Sequence, residues 1–334
     1  MVTLANSYLK ARKIRTELLN KGLKVPPILI LGVTSKCNLS CHGCYAAATG
    51  TLSNKKINNN LSIDKWKLII KEAKTLGVFG FIIAGGEPFM LPDMLSICST
   101  FKDRIFVIYT NGTNIRKKEY DELKRLHNVV IMVSIEGDQT LTDNRRGKGV
   151  YEKVINTLLY LKKYKIISGI SITINRLNFK YWMEESIIDS LILNGIKFIT
   201  FLEYVPTNND TKLMLTPEER NIFRERVLEY RGTKKVIILH SPGDEEFKGG
   251  CVSAGRSFAY ITPKGDLTPC PVSNIATHNL TSSSLKKGLM SPLFKYIRDN
   301  DHLLETEGSP CALFSHPKEV HEIVKKVKAY YTCL

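Results

Sequence analysis

"SKCNLSCHGCYAA", residues 35–47, places Cys37, Cys41 and Cys44 directly after the apolar run "PPILILGVT". A closed zinc site normally takes four ligands, usually gathered as two separated pairs. Here the spacing is C-x3-C-x2-C, and no fourth cysteine stands nearby. Three thiolates from one short loop can instead hold three irons of a [4Fe–4S] cube and leave the fourth iron open. The stretch therefore favours a cluster with one open iron, with a zinc loop or three incidental core cysteines as alternatives.

Around this stretch, short apolar runs rich in Ile, Val and Phe alternate with longer segments of helical period, which is typical of βα units around a parallel sheet. The predicted strands are residues 28–35, 79–86, 104–112, 129–137, 168–175 and 197–205. The predicted helices are residues 62–76, 92–102, 115–126, 150–165, 182–193 and 216–231, with Ser62, Asp93 and Asn114 as capping residues. The expected fold is α/β, a partial (β/α)6 TIM-like barrel followed by a small extension that begins near residue 235. In the extension, "SFAYITPKGDLTP" predicts a hairpin around Lys264 and Gly265.

Polar residues follow several of the predicted strands, and carboxyl ends of parallel strands are where barrel active sites form. The second strand ends in Gly85, Gly86 and Glu87, where two glycines let the backbone approach a ligand and a carboxylate can meet a cation. Other polar candidates at strand ends or before the extension are Thr110, Asn111, Thr173, Glu203, Tyr204, Asp244, Glu245 and Glu246. Glu203 could act as a general base, but no catalytic side chain outside the cysteines is singled out.

Composition indicates an ordinary globular protein, with 43% hydrophobic and 24% charged residues in 334. The apolar runs are too short or too interrupted to span a bilayer. Residues 1–27, which carry several basic side chains, predict an amphipathic helix rather than a signal peptide. Eight cysteines without a disulfide pattern favour a reducing, cytoplasmic location. The net charge of +16 would favour binding to RNA, to an anionic membrane or to an acidic protein partner. The alternative is that it reflects only a solvated, lysine-rich surface.

"CNLSCHGCY" after the first strand and "AGGEP" after the second together resemble the radical S-adenosylmethionine (radical SAM) superfamily, over residues 28–205. The resemblance implies that the amine and carboxylate of SAM chelate the open iron. It also implies that one electron from the reduced cluster breaks a sulfonium C–S bond and yields a 5′-deoxyadenosyl radical, which abstracts hydrogen. An oxygen-sensitive enzyme that needs a reductant such as flavodoxin or ferredoxin is expected.

The same resemblance implies SAM contacts for Gly85, Gly86 and Glu87, the last with the SAM ammonium. Ser134, in "SIEG", and Arg146, in "DNRRGKGVY", resemble the SAM-contacting Ser and Arg of relatives that modify peptides and sulfatases, and Arg145 is a rival for the second role. One position departs from the family, because relatives often carry an aromatic residue just before the third cysteine, where this chain has Gly43.

A second constellation, Cys251, Cys270 and Cys311, lies in the extension, predicted as residues 235–334 after a barrel of residues 28–234. Its first part, Cys251-x13-Gly265-x4-Cys270, is similar to the opening of the SPASM and twitch extensions, which bind auxiliary iron–sulfur clusters. Too few cysteines follow for a full SPASM domain, so the twitch form fits better. The fourth ligand is left open between Cys333, a ligand that is not cysteine, and none. Cys98, on a predicted helix with apolar neighbours, is expected in the core.

The function expected from these features is oxidative modification of a peptide, a protein or a small metabolite. Peptide-modifying relatives often carry an amino-terminal leader-binding domain, for which 27 residues before the first strand are too few, and this disfavours a leader-peptide substrate. Action on RNA or on a membrane-associated substrate is a second hypothesis, based on charge and on "KARKIR" in the amino-terminal helix. A non-catalytic iron–sulfur sensor is the hypothesis from a different class.

Overall fold

A computed structural model describes residues 2–53, 60–206, 211–306 and 309–332. Cys333, one of the alternatives for a fourth cluster ligand, lies outside the described residues. The strands are β1 Ile28–Thr34, β2 Gly80–Gly85, β3 Ile105–Thr110, β4 Val129–Ser134, β5 Ser168–Ile174, β6 Phe198–Glu203, β7 Ile237–Ser241, β8 Phe258–Ile261, β9 Asp266–Thr268, β10 Ile275–Ala276, β11 His278–Asn279 and β12 Tyr330–Tyr331.

The α-helices fall mainly between successive strands and in the carboxyl-terminal part of the chain. They are α1 Val2–Asn20, α2 Tyr45–Ala48, α3 Ile63–Thr75, α4 Leu95–Thr100, α5 Lys117–Leu123, α6 Gln139–Arg146, α7 Val150–Lys163, α8 Phe179–Trp182, α9 Glu185–Leu193, α10 Pro217–Thr233, α11 Leu285–Leu289, α12 Pro292–Asp299, α13 Ala312–Ser315 and α14 Pro317–Lys326.

A ten-stranded sheet joins most of these strands in the order β11-β9-β8-β1-β2-β3-β4-β5-β6-β7. Strands β1 to β7 are parallel neighbours in chain order, and β8 adds to the other edge, parallel to β1. The α/β fold with a parallel, open barrel is therefore confirmed. All carboxyl ends of β1 to β7 lie at the same edge, where the cysteine-bearing loop follows β1.

The six predicted βα units are present, from β1 to α10, and the structure adds a further parallel strand, β7, that the sequence did not predict. Strand β7 is only five residues long and lies between Lys235 and Pro242, too short an apolar run to stand out from the turns around it. It pairs with β6 from Phe198–Ile237 to Leu202–Ser241, so the sheet continues past residue 235, the expected boundary. The division at residue 235 stays a prediction.

The core lies between the sheet and the helices that cover its outer face. On β3, Phe106 and Ile108 are fully buried toward the helices, while the alternating residues are only half-buried. Helix α3 begins as predicted, because the Ser62 hydroxyl accepts a hydrogen bond from the Lys65 amide, and it buries Trp66. Asp93 and Asn114 are not caps, contrary to prediction, since α4 begins after Met94 and α5 after Arg116.

The carboxyl-terminal part attaches to the barrel through the predicted hairpin, which β8 and β9 form around Gly265 with φ of +96°. Gly32 on β1 is needed for this attachment, because a Cβ atom there would lie 2.2 Å from the Tyr260 hydroxyl of β8. Strand pairing therefore brings the second cysteine segment beside the first strand of the barrel.

The amino-terminal helix α1 packs on the barrel where α3 leads into β2. The rings of Tyr8 and Phe79 lie 5.4 Å apart, and the Arg15 guanidinium donates to the Gly77 carbonyl. Burial lowers the pKa of Arg15. Among the residues that the structure describes, no helix combines the length and the hydropathy needed to cross a bilayer.

Candidate cluster and cofactor site

The loop that carries Cys37, Cys41 and Cys44 is held in place by the end of β2. The Gly86 amide donates to the Thr34 carbonyl at 2.8 Å, and the Glu87 amide donates to the Lys36 carbonyl at 2.8 Å. A Cβ atom on Gly86 would lie 2.0 Å from the Lys36 carbonyl oxygen, and one on Gly85 would lie 2.6 Å from the Thr34 oxygen. The two glycines thus allow the cysteine loop to approach; their predicted contact with SAM stays a prediction.

The three thiols of this loop are half-buried and lie within electrostatic reach of one another. Burial raises the pKa of Cys37 and of Cys41, while the guanidinium groups of Arg146 and Arg145 oppose the shift at Cys41. Because the thiolate is the form that binds metal, these two arginines favour the ligand form of Cys41.

Soft thiolate donors in this number suit an iron–sulfur cluster. In the described ranges, no three His, Cys, Asp or Glu side chains form a group that could hold a single metal ion. A cubane needs a wider set, because each thiolate binds a different iron. The Asn111 side-chain amide nitrogen lies 4.0 Å from Cys37 Sγ, so it adds a polar neighbour to the first thiol. The donor set therefore fits the group that the resemblance implies.

Glu87 is 1% exposed and ties β2 to β3. Its carboxylate accepts hydrogen bonds from the Thr110 hydroxyl at 2.7 Å, the Asn111 amide at 2.7 Å and the Phe89 amide at 3.1 Å. Burial raises the pKa of Glu87, and these hydrogen bonds oppose that shift. The carboxylate is thus engaged by the protein, and its predicted contact with the SAM ammonium stays a prediction.

Arg145 and Arg146 lie at the end of α6, a helix that the sequence did not predict, because its only buried residue is Thr142. Both guanidinium groups contact Oε1 of Glu136, at 2.6 Å and 2.5 Å, and Glu136 is 1% exposed. The His42 amide donates to the Arg145 carbonyl at 2.8 Å, which ties this helix to the cysteine loop.

Two cations against one carboxylate leave about one unit of positive charge beside Cys41, which could attract the carboxylate of a bound SAM. The structure brings both rival arginines together, whereas the sequence favours Arg146. Ser134, at the end of β4, is half-buried at the same edge of the sheet. Glu136 was not recognised as a site residue, although its place in "SIEG" and the two arginines nine and ten residues later are a usable signal.

Glu203 and Tyr204, at the end of β6, both contact other parts of the protein. Glu203 faces the helices, where Oε2 accepts from Arg220 at 2.6 Å and Oε1 lies 2.9 Å from His240 Nε2. All three side chains are buried, so the geometry does not support a general base at Glu203. The Tyr204 ring instead packs on the cysteine loop, since a Cβ atom on Gly43 would lie 2.7 Å from Tyr204 Cε2.

The second constellation is brought together by the fold. Cys251 donates its amide to the Leu304 carbonyl at 2.6 Å, Cys270 follows β9, and Cys311 precedes α13. Burial raises the pKa of all three thiols, to about 12 for Cys251, and the charges of Cys251 and Cys311 add to the shift at Cys270. By contrast Cys98, on α4, is fully buried in the core, as predicted.

A family model described as Radical SAM superfamily matches residues 31–191. The chain is 27% identical over 271 residues to sporulation killing factor maturation protein SkfB of Bacillus subtilis (strain 168), covering 78% of this chain and 64% of the relative. It is 28% identical over 239 residues to Fe-coproporphyrin III synthase of Methanosarcina barkeri, covering 70% and 57% respectively. Mycofactocin maturase MftC of Mycobacterium tuberculosis is 27% identical, with 84% of this chain and 73% of the relative covered. The chain thus spans less than two thirds of the length of SkfB and of the synthase.

Two solved structures share the fold. Streptococcus suis SuiB bound to S-adenosylmethionine superposes with a TM-score of 0.70 at 22% identity, over 87% of this chain and 72% of SuiB. Native anSMEcpe with bound AdoMet and Cp18Cys peptide superposes with a TM-score of 0.63 at 15% identity, over 90% of this chain and 96% of that chain. The cysteine loop and the parallel barrel agree with this match, and residues 31–191 of the chain are a radical SAM domain.

Proposed function

We propose that this protein is an enzyme that cleaves SAM reductively at a [4Fe–4S] cluster held by Cys37, Cys41 and Cys44, and that it then removes a hydrogen atom from a substrate. The observation that carries the proposal is the loop of three half-buried thiols beside the Arg145–Arg146 pair at the carboxyl edge of the sheet. When bound, the reduced cluster supplies the electron that splits SAM into methionine and a 5′-deoxyadenosyl radical.

The residues of the chain would orient SAM and shape its electrostatic surroundings. Arg145 and Arg146 would attract the SAM carboxylate, because Glu136 neutralises only one of their two charges. Ser134 and the Gly85–Glu87 segment are proposed as further SAM contacts at neighbouring strand ends. Cys251, Cys270 and Cys311 would hold an auxiliary iron–sulfur cluster, and a flavodoxin or ferredoxin would deliver the electron.

For the substrate, a peptide or protein side chain is the proposed class. SkfB and MftC are named as a maturation protein and a maturase, and anSMEcpe was solved with a peptide. A tetrapyrrole is the competing class, since another relative is named Fe-coproporphyrin III synthase. Helix α1, which carries "KARKIR", uses Arg15 to pack on the barrel, so that part of its charge already has a structural role.

The test is anaerobic reconstitution with iron and sulfide, followed by dithionite and SAM, with 5′-deoxyadenosine measured by mass spectrometry. The protein should form 5′-deoxyadenosine, and Cys41→Ala should abolish it. Cys98→Ala is the matched control, because Cys98 lies in the core on α4 and should leave the yield unchanged.

A yield of zero from the unaltered protein would favour the non-catalytic sensor, and an equal yield from Cys41→Ala would contradict SAM cleavage at a cluster held by Cys41. Substrate class is then tested by the increase in 5′-deoxyadenosine on adding candidate peptides or iron-coproporphyrin III. Binding to RNA or to anionic vesicles at low salt, where such attraction is strongest, tests the remaining hypothesis.

A further inference from the structure

Ser253 carries a buried hydroxyl two positions after Cys251, which is one of the three cysteines proposed for the auxiliary cluster. It is 2% exposed, and its Oγ lies 3.2 Å from Cys251 Sγ. The hydroxyl is therefore in direct contact with the sulfur atom of a proposed ligand. Hydrogen bonds to ligand sulfurs are among the factors that set the reduction potential of an iron–sulfur cluster.

The direction of this hydrogen bond depends on the state of the sulfur. In the free thiol, the S–H group of Cys251 donates to Ser253 Oγ. A cysteine that binds iron is a thiolate and has no proton to donate, so the hydroxyl, which can donate or accept, becomes the donor. Within the part of the chain that the structure describes, Cys251 Sγ is the only hydrogen-bond partner of the Ser253 side chain. Because a buried hydroxyl needs a partner, its proton would point at the sulfur.

The turn that carries both side chains is fixed by Arg256. The Arg256 amide donates to the Ser253 carbonyl at 2.9 Å. The Arg256 guanidinium donates to the carbonyls of Cys251 and Gly250, the second at 3.2 Å. These bonds hold the backbone on both sides of Val252, so the hydroxyl and the sulfur are kept facing each other.

The same turn lies beside another cysteine of the group. The Ala254 amide donates to the Pro269 carbonyl at 3.1 Å, and Cys270 directly follows Pro269. Cys270 is 7% exposed, and its carbonyl accepts from the Thr268 hydroxyl at 3.1 Å. Soft thiolate donors from two segments that pack together suit the iron–sulfur group proposed for this part of the chain. The Ser253 hydroxyl would thus lie against a ligand sulfur of that group.

We propose that the Ser253 hydroxyl donates a hydrogen bond to the Cys251 sulfur of the auxiliary cluster and thereby raises the reduction potential of that cluster. Reduction by one electron adds a negative charge to the cluster and its thiolates, and a hydrogen bond to a ligand sulfur stabilises that charge. The inference rests on the auxiliary cluster of the proposed function but does not depend on SAM cleavage. Ser253 acts through the cysteine ligand and is a positioning residue.

The test uses the full chain with Cys37, Cys41 and Cys44 changed to Ala, so that iron reports on the second site alone. After anaerobic reconstitution, this parent should bind about four irons per chain. A redox titration with dithionite, followed by electron paramagnetic resonance, gives the midpoint potential. Ser253→Ala should lower it, so that the ratio of oxidised to reduced cluster at the parent midpoint rises about 10-fold, or about 59 mV for one electron.

Ser253→Thr and Ser253→Val form a matched pair, because the two side chains have nearly the same shape and only threonine carries a hydroxyl. Ser253→Thr should titrate above Ser253→Val by the same shift, and this comparison decides the matter if the alanine variant does not bind iron. Ser315→Ala is the second control. The Ser315 hydroxyl donates to the Cys311 carbonyl at 3.3 Å rather than to a sulfur, so this variant should keep the parent potential.

The proposal is overturned if the parent binds no iron, if Ser253→Ala does not lower the potential, or if the threonine and valine variants titrate together. The first outcome also removes the auxiliary cluster from the proposed function, whereas the other two leave that cluster in place. An unaltered protein that fails to cleave SAM, while the Ser253 variants show the shift, would refute SAM cleavage and leave the role of Ser253 standing.

Discussion

Gly43→Ala should loosen the cysteine loop, for two separable reasons. Gly43 has a φ of +64°, a left-handed conformation that costs a residue with a Cβ atom about 1–2 kcal/mol. The new Cβ atom would also lie 2.7 Å from Cε2 of Tyr204, which is 3% exposed and has little room to move. Overpacking of this kind costs about 1–3 kcal/mol, so the sum is about 2–5 kcal/mol.

A double-mutant cycle with Tyr204→Leu separates the two costs. In that background the ring is gone, and Gly43→Ala should cost only the conformational part, about 1–2 kcal/mol. Gly22→Ala is the matched control, because Gly22 has a φ of +79° and a Cβ atom there would meet nothing within 4 Å.

The assay is urea unfolding of the reduced protein, followed by fluorescence under anaerobic conditions, with iron retention measured in parallel. Gly43→Ala should lower both the free energy of unfolding and the iron retained. The reasoning is refuted if Gly43→Ala costs no more than Gly22→Ala, or if Tyr204→Leu leaves the cost of Gly43→Ala unchanged.

Arg146→Met should weaken SAM binding to the reconstituted protein about 10-fold, measured by calorimetry, because one charge-assisted hydrogen bond is lost. Arg145→Met should have the same effect. Unchanged affinity in both variants would exclude the two arginines as the site of the SAM carboxylate. Glu87→Gln should lower the free energy of unfolding by about 2–3 kcal/mol, because an amide cannot accept all the hydrogen bonds that meet this carboxylate, and a loss below about 0.5 kcal/mol would contradict that role. Burial alone would raise the pKa of Asp103, but the hydrogen bond from Lys74 and the charge of Arg104 lower it below the ordinary value of 3.8. The ionised Asp103 carboxylate therefore stabilises the folded protein above pH 3.8, and this contribution is lost as the pH falls through the folded pKa. Asp103→Asn should therefore reduce stability near pH 7 by less than about 1 kcal/mol, since the pair is partly exposed, and the difference should vanish in acid denaturation near pH 2.

The first cysteine group could be predicted from the sequence because its members lie within one loop of eight residues, Cys37 to Cys44. The fold class could be predicted because each strand is a local apolar run. Helix α6 could not, since it buries only Thr142 and so has no apolar period to detect. Because this helix was not predicted, the contacts of Arg145 and Arg146 with Glu136 were not predicted either.

The sequence by itself thus determined the parallel α/β barrel, the cysteine loop after β1 and the resemblance to the radical SAM superfamily. Only the tertiary structure showed that Arg145 and Arg146 both contact Glu136, and that Tyr204 occupies the space beside Gly43. The physical reason is the range of the interactions. Strand periodicity and loop spacing depend on residues that are close together in the sequence. The surroundings of a buried thiol or carboxylate come from distant segments, which meet only in the folded protein.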